Sequence, residues 1–179
     1  TLLRPEDQMR KPGSIGKECL GTDTLRLLDQ DGREVPVGEV GELYSRGPMM
    51  FDEYYKLPDK TQASFRDDYF TARDMAKKDE EGYYYLVDRK DNMIISGGEH
   101  VYPSEVEAII CQHPKVFDVA IIGTPDDVWG EAVKAVIVLK NGEKATPEEI
   151  AVWCKGKMAG YKKPKSVDFI MPDEMPRTT

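Results

Sequence analysis

The sequence predicts an α/β protein, α+β overall: a β-rich half built from hairpins, then a small α/β half in which a short sheet is covered by helices. Three observations predict it. In the first half, short alternating apolar runs are broken by turn sequences such as Asp31-Gly32 and Asp79-Glu80-Glu81-Gly82. In the second half, longer apolar runs alternate with segments of helical spacing that carry N-terminal helix signals. Between the two lies an unbroken polar run, Asp88-Arg89-Lys90-Asp91-Asn92. The expected division is therefore residues 1–88, a joint at 89–92, and residues 93–179.

The elements follow in order. Lys11-Pro12-Gly13-Ser14-Ile15-Gly16 is a turn-rich opening, and Thr24 to Leu28 alternates polar and apolar residues as a strand does. Val40 to Ser45 is a second strand, and Pro58 to Phe65 a short helix with proline in its first turn, where the missing N–H costs little. Tyr69 to Asp74 begins a strand that returns through Tyr83 to Val87. The three consecutive tyrosines there have the ring content of a base-stacking platform, but alternate residues of a strand face opposite sides, which favours a plain strand. Past the joint, Met93 to Ile95 is a short strand and Ser96-Gly97-Gly98 a turn. Pro103 and Ser104 open a helix, with Ser104 and Glu107 at capping-box spacing and Val106, Ile109 and Ile110 on one face. Val116 to Ile122 and Val133 to Leu139 are apolar strands. Thr146-Pro147-Glu148-Glu149 starts a second helix, whose apolar face carries Ile150, Trp153, Cys154 and Met158; Val167 to Met171 is the last strand.

Composition excludes several classes. The chain has 179 residues, 40% of them hydrophobic, enough for a folded core. A net charge of -8 argues against a general nucleic-acid binder. No run is long and apolar enough to span a membrane, and no secretory leader is seen. Cys19, Cys111 and Cys154 are an odd, scattered set that points to a reducing compartment and a cytoplasmic protein. With only His100 and His113, no metal-ligand cluster is visible. Cys111 and His113 stand two residues apart, a spacing that turns them in different directions on a helix.

The run Asp88 to Glu107, with its Ile-Ser-Gly-Gly-Glu-His-Val-Tyr-Pro-Ser-Glu-Val-Glu core, resembles the adenylate-forming enzymes, and among them the acyl- and aryl-CoA ligases. Gly38-Glu39-Val40-Gly41-Glu42-Leu43 and Pro48 to Tyr55 are similar to that family too, although Asp52-Glu53 stands where a small residue is usual. The resemblance implies an enzyme that activates a carboxylic acid with MgATP to an acyl-adenylate, releasing pyrophosphate, and then transfers the acyl group to CoA with loss of AMP. The partners it implies are the acid, ATP and CoA. No stretch resembles the family's phosphate loop or the motif that helps hold Mg2+, so both are expected upstream of Thr1. The late catalytic lysine of Pro-Arg-Thr-x-x-Gly-Lys is expected beyond Thr179, since the chain ends at Pro176-Arg177-Thr178-Thr179. The chain is accordingly read as a C-terminal fragment with no catalytic residue of its own and little activity alone.

The resemblance also assigns roles to residues present. Asp74 matches the aspartate that accepts hydrogen bonds from the ATP ribose, with Arg73 where the family has glycine. Arg89 matches an arginine suited to ribose and phosphate oxygens, or else makes an interdomain ion pair. Asp91 matches the hinge at which the small domain swings between half-reactions. Gly97 and Gly98 match a loop lining the CoA pantetheine tunnel, and are also a plain turn. Trp129, within Pro125 to Glu131, matches an aromatic that stacks on the CoA nucleotide, or is a partly buried tryptophan in a turn. Lys163, just before Pro164, matches a contact to CoA phosphate, the weakest of the set. Two other readings are a free-standing interaction module and a peptide-synthetase adenylation domain; the latter usually carries Arg-Gly-x-Arg-Ile-Glu where this chain has Ser-Gly-Gly-Glu-His-Val-Tyr-Pro.

Overall fold

Short strands of alternating polarity reach stability only when several pair and bury one face, and the first part of the chain does this with antiparallel neighbours. A computed structural model describes residues 1–19, 25–48 and 50–175. Thr24, Met49 and the Pro176–Thr179 stretch of the expected late-lysine motif lie outside the described residues. The chain divides into two compact units, Thr1–Asp91 and Asn92–Thr179.

The first unit carries β1 (Ser14–Gly16), β2 (Leu25–Leu28), β3 (Val40–Ser45), a short helix α1 (Pro58–Ala63), β4 (Phe65–Arg66), β5 (Tyr69–Lys78) and β6 (Tyr84–Arg89). The sheet order is β1-β6-β5-β3-β2, with β4 beside β5 and every pairing antiparallel. Because successive side chains alternate faces, Leu27 and Leu28 enter different clusters. Leu27 joins Ala76 and Tyr84, and Leu28 joins Tyr44 and Tyr69. The tyrosine run is therefore not a stacking platform. Tyr84 is core, while Tyr83 lies beneath the cations of Arg10, Lys11 and Lys17 and Tyr85 reaches Asp79.

The second unit begins with a hairpin of β7 (Ile94–Ser96) and β8 (Glu99–Val101), followed by α2 (Pro103–Ile110), β9 (Val116–Asp126), β10 (Gly130–Leu139), α3 (Pro147–Cys154) and β11 (Ser166–Phe169). The order is β11-β10-β7-β8 with β9 also on β10; only β11 is parallel to its neighbour among these pairs. Val133, Ala135 and Ile137 of β10 form a core with Val106 and Ile110 of α2 and Ile150 and Cys154 of α3. The fold class stands as expected: hairpins first, then a short sheet covered by helices.

Three local expectations are corrected. Ser96, expected in the turn, instead ends β7, and Glu99–Val101 beyond the turn is a strand. The capping box at Ser104 and Glu107 does not form: the N-cap is Tyr102 with Pro103 at the first helical position, and Glu107 instead accepts the Ile121 N–H at 2.9 Å. Proline's fixed φ sets the N-cap two residues earlier than the side-chain pattern implied. The second helix does cap as expected, Thr146 accepting the Glu149 N–H at 3.3 Å, but it ends at Cys154, so Met158 packs on the core from beyond it. His113 is buried edge-on to Trp153 at 4.9 Å, and burial pushes the exposed-face Cys111 thiol up, which disfavours a nucleophilic pair.

Candidate functional site

In the first unit the site is built on an irregularity of β5. Glu42 pairs with Met75 and Tyr44 with Thr71, so a single β3 residue, Leu43, opposes Ala72, Arg73 and Asp74. The extra residues bulge outward, as strands do where a side chain must be re-aimed. Arg73, at the apex, has φ 65°, in the left-handed region. That accounts for glycine at the matching position of the resembling family: the backbone needs a positive φ, and arginine adopts it here at some cost.

A polar chain fixes the bulge from below. The Arg73 N–H donates to Thr71 Oγ1 at 2.8 Å, Thr71 Oγ1 donates to Glu42 Oε1 at 2.9 Å, and Lys90 Nζ donates to Glu42 Oε2 at 2.8 Å. Glu42 and Thr71 are both buried. A buried carboxylate is stable only when paired and hydrogen-bonded, and here Lys90 and Thr71 meet that requirement.

Three expected residues come together at this bulge. Asp74 and Arg89 are register partners on β5 and β6, with Arg89 Nε 3.6 Å from Asp74 Oδ1, an ion pair too long for a hydrogen bond. The Asp74 carboxylate is about one-third exposed, with a side-chain exposure of 31%. Arg89 pairs within its own unit. Asp91 receives a fork from Arg73, Nε at 2.9 and 3.1 Å and Nη2 at 2.6 Å. Residues 89, 90 and 91 are thus each tied to the sheet: to Asp74, Glu42 and Arg73 in turn.

A second cluster lies in the other unit. Gly97 and Gly98 form the two-residue turn between β7 and β8, with φ of 61° and 85°, the pattern of a type I′ hairpin. The Gly97 N–H donates to the Trp129 carbonyl at 2.9 Å, and a Cβ at Gly97 would stand 2.3 Å from Trp129 Cε3. Asp126 shapes the Trp129 turn by accepting the N–H groups of Val128 and Trp129; those bonds hold its carboxyl below the usual range. Half of the Trp129 surface is exposed, and Lys165 Nζ lies 4.7 Å from the ring centroid. Lys165, which was not among the expected site residues, is thus the lysine over Trp129. Lys163 closes the Gly160–Lys162 turn; burial pushes the Cys154 thiol up, and the Lys163 charge pulls it partly back.

This packing separates two glycines that look alike in sequence. Gly98→Ala is expected to cost about 1–2 kcal/mol, the strain of a left-handed alanine. Gly97→Ala is expected to cost a further ~1 kcal/mol or more, because its methyl also overlaps the indole. Thermal midpoints of the two full-length variants, with Trp129 fluorescence, check this; equal losses would contradict the contact.

The structure brings the expected Asp74, Arg89 and Asp91 together at the bulge and adds Glu42, Thr71 and Lys90 beneath it and Lys165 beside Trp129, none of which carries a sequence signal for such a place. Among the described residues no group of three or more His, Cys, Asp or Glu is placed to hold a metal ion. No helix of the described residues is long and apolar enough to cross a membrane.

Comparison with known proteins places this arrangement in a class. Residues 1–55 match the family model for AMP-binding enzyme, and residues 105–179 that for AMP-binding enzyme C-terminal domain. The chain belongs to the AMP-binding, adenylate-forming enzyme family. It is 43% identical over 174 residues to a long-chain-fatty-acid–CoA ligase of Yersinia pestis, covering 97% of this chain and 30% of that protein. It is 43% identical over 168 residues to a feruloyl-CoA synthase of an Amycolatopsis species, covering 94% and 34%. Among solved structures, o-succinylbenzoate CoA synthetase from Bacillus subtilis, in complex with its acyl-adenylate intermediate, matches with TM-score 0.85 and 33% identity over 98% of this chain and 35% of that one. The chain thus spans about a third of the length of these relatives.

Proposed function

We propose that the full-length protein is an acid–CoA ligase, and that this chain supplies its nucleotide-holding strand bulge, hinge and small mobile domain. The acid oxygen attacks the α-phosphate of ATP, pyrophosphate leaves, and the CoA thiol then attacks the acyl carbonyl and displaces AMP. The observation that carries the reading is the presentation of Asp74 on the β5 bulge, partly exposed beside Arg89, in a chain whose matched relatives are CoA ligases and synthetases.

Each residue has a part in that chemistry. The Asp74 carboxylate has two adjacent acceptor oxygens, the right number for the two ribose hydroxyls. Arg89 offers a permanent charge and several donors to ribose or phosphate oxygens. Asp91 is the residue about which residues 92–179 change orientation between the two steps. The Gly97-Gly98 turn, without side chains, admits a thin pantetheine arm, and the exposed Trp129 face with Lys165 suits the nucleotide end of CoA. Lys163, just before Pro164, offers a second positive charge to a CoA phosphate. Mg2+ accompanies ATP and supplies charge neutralisation on the phosphates when bound.

The experiment is product analysis with the full-length protein. Incubated with ATP, Mg2+ and a panel of fatty and aromatic acids, it is expected to form an acyl-adenylate and pyrophosphate without CoA, and AMP and a thioester once CoA is added. Formation of ADP, or of thioester without a detectable adenylate, would overturn the proposal.

A further inference from the structure

We infer that Arg73 is a positioning residue that clips Asp91 to the β5 bulge and sets where the chain releases when the small domain reorients; this rests on the hinge role proposed above. The fork on Asp91 is bidentate, and its arginine springs from a backbone that is itself pinned. The bulge is held by the Thr71–Glu42–Lys90 chain, and Arg73 occupies a left-handed φ of 65° that glycine would adopt without strain. A strained residue retained at such a position is informative when its side chain makes a specific contact, and here it makes three hydrogen bonds to one carboxylate.

The neighbouring pairs show which link gives way. Lys90 is bound to Glu42, whose side chain is 7% exposed, whereas the Arg73–Asp91 pair is 46% and 62% exposed. Breaking the first leaves a buried charge unpaired, which is strongly unfavourable. Breaking the second exposes two charges that water readily solvates. Lys90 therefore stays anchored to the sheet through any reorientation, and rotation begins at Asp91. Arg73 acts as a catch of modest strength: able to favour one setting of the hinge, weak enough to open in each turnover.

The test uses the full-length enzyme and has a readout that does not depend on catalysis. Hydrogen exchange of the amides at 90–92 is followed in the natural protein and in Arg73→Gly, Arg73→Gln and Arg73→Lys. Glycine relieves the backbone strain, so that variant should fold at least as well; glutamine keeps the left-handed backbone and the stem as far as Nε but loses the charge and the terminal nitrogens. Exchange is expected to rise about two- to five-fold in both, the range an exposed ion pair supplies, with lysine between. High salt should speed exchange in the natural protein and leave Arg73→Gly unchanged. The ratio of the two half-reaction rates should shift by a similar factor, restored in part by lysine. Unchanged exchange in Arg73→Gly and Arg73→Gln would overturn the clip. Faster exchange with an unchanged rate ratio would overturn its positioning role. A failed hinge reading shows differently: Asp91→Pro would then affect both half-reactions alike, whatever the exchange data give.

Discussion

Asp91→Pro in the full-length enzyme is expected to cut CoA transfer by about a hundredfold while acyl-adenylate formation falls much less. Lys90–Asn92 forms a single 3-10 turn, a conformation whose usual φ of about -50 to -70° is close to the one proline's ring fixes. Any other setting must work against a fixed φ and a missing N–H, at a cost of about 3 kcal/mol, which is roughly two powers of ten in rate. Asp91→Ala is the control, since it removes the Arg73 contact without locking the backbone. The two steps are measured separately, as adenylate formation without CoA and as CoA attack on preformed acyl-adenylate. Equal losses in both at an unchanged thermal midpoint would mark Asp91 as an ordinary linker position.

Asp74→Ala is expected to weaken adenylate formation by about ten- to a hundredfold, since each hydrogen bond to a charged acceptor is worth roughly 1.5–3 kcal/mol. The folding cost should be small, because the carboxylate is partly exposed and its ion pair with Arg89 is long. The specific check replaces ATP with its 2′-deoxy and 3′-deoxy forms. The natural enzyme should lose rate on each, and Asp74→Ala should lose little more, because the hydroxyl and its acceptor count once. Unaltered ATP dependence in the variant would remove Asp74 from the nucleotide site.

The site residues legible in the sequence were those in one continuous run or motif. Arg89, Asp91, Gly97 and Gly98 sit within twenty residues of punctuated chain, and Asp74 closes the recognisable run Tyr69 to Asp74. What supports them was not legible, because it is non-local. The Glu42–Lys90 pair joins residues 48 apart, and the bulge at Arg73 exists only in the register of β3 against β5. A sequence pattern marks which residues face inward, but not how many residues one strand passes while its neighbour passes one. Arg73 shows the limit well. It stands where the family has glycine, yet the backbone takes the left-handed turn regardless and the side chain finds Asp91. Lys163 and Lys165 flank Pro164, and only the path of the chain into β11 decides which one lies over Trp129. The false capping box at Ser104 is the local counterpart: the spacing was right, but Pro103 and Tyr102 had already set the helix start.

The central claim, that the whole protein activates its acid by forming a mixed anhydride with AMP, is tested most directly by oxygen tracing. An accepted acid labelled with 18O in its carboxylate is converted to thioester by the full-length enzyme with ATP and CoA. If the carboxylate attacks the α-phosphate and the thiol later breaks the acyl C–O bond, one labelled oxygen per turnover must leave in AMP. Label appearing in inorganic phosphate alongside ADP, with none in AMP, would contradict the account.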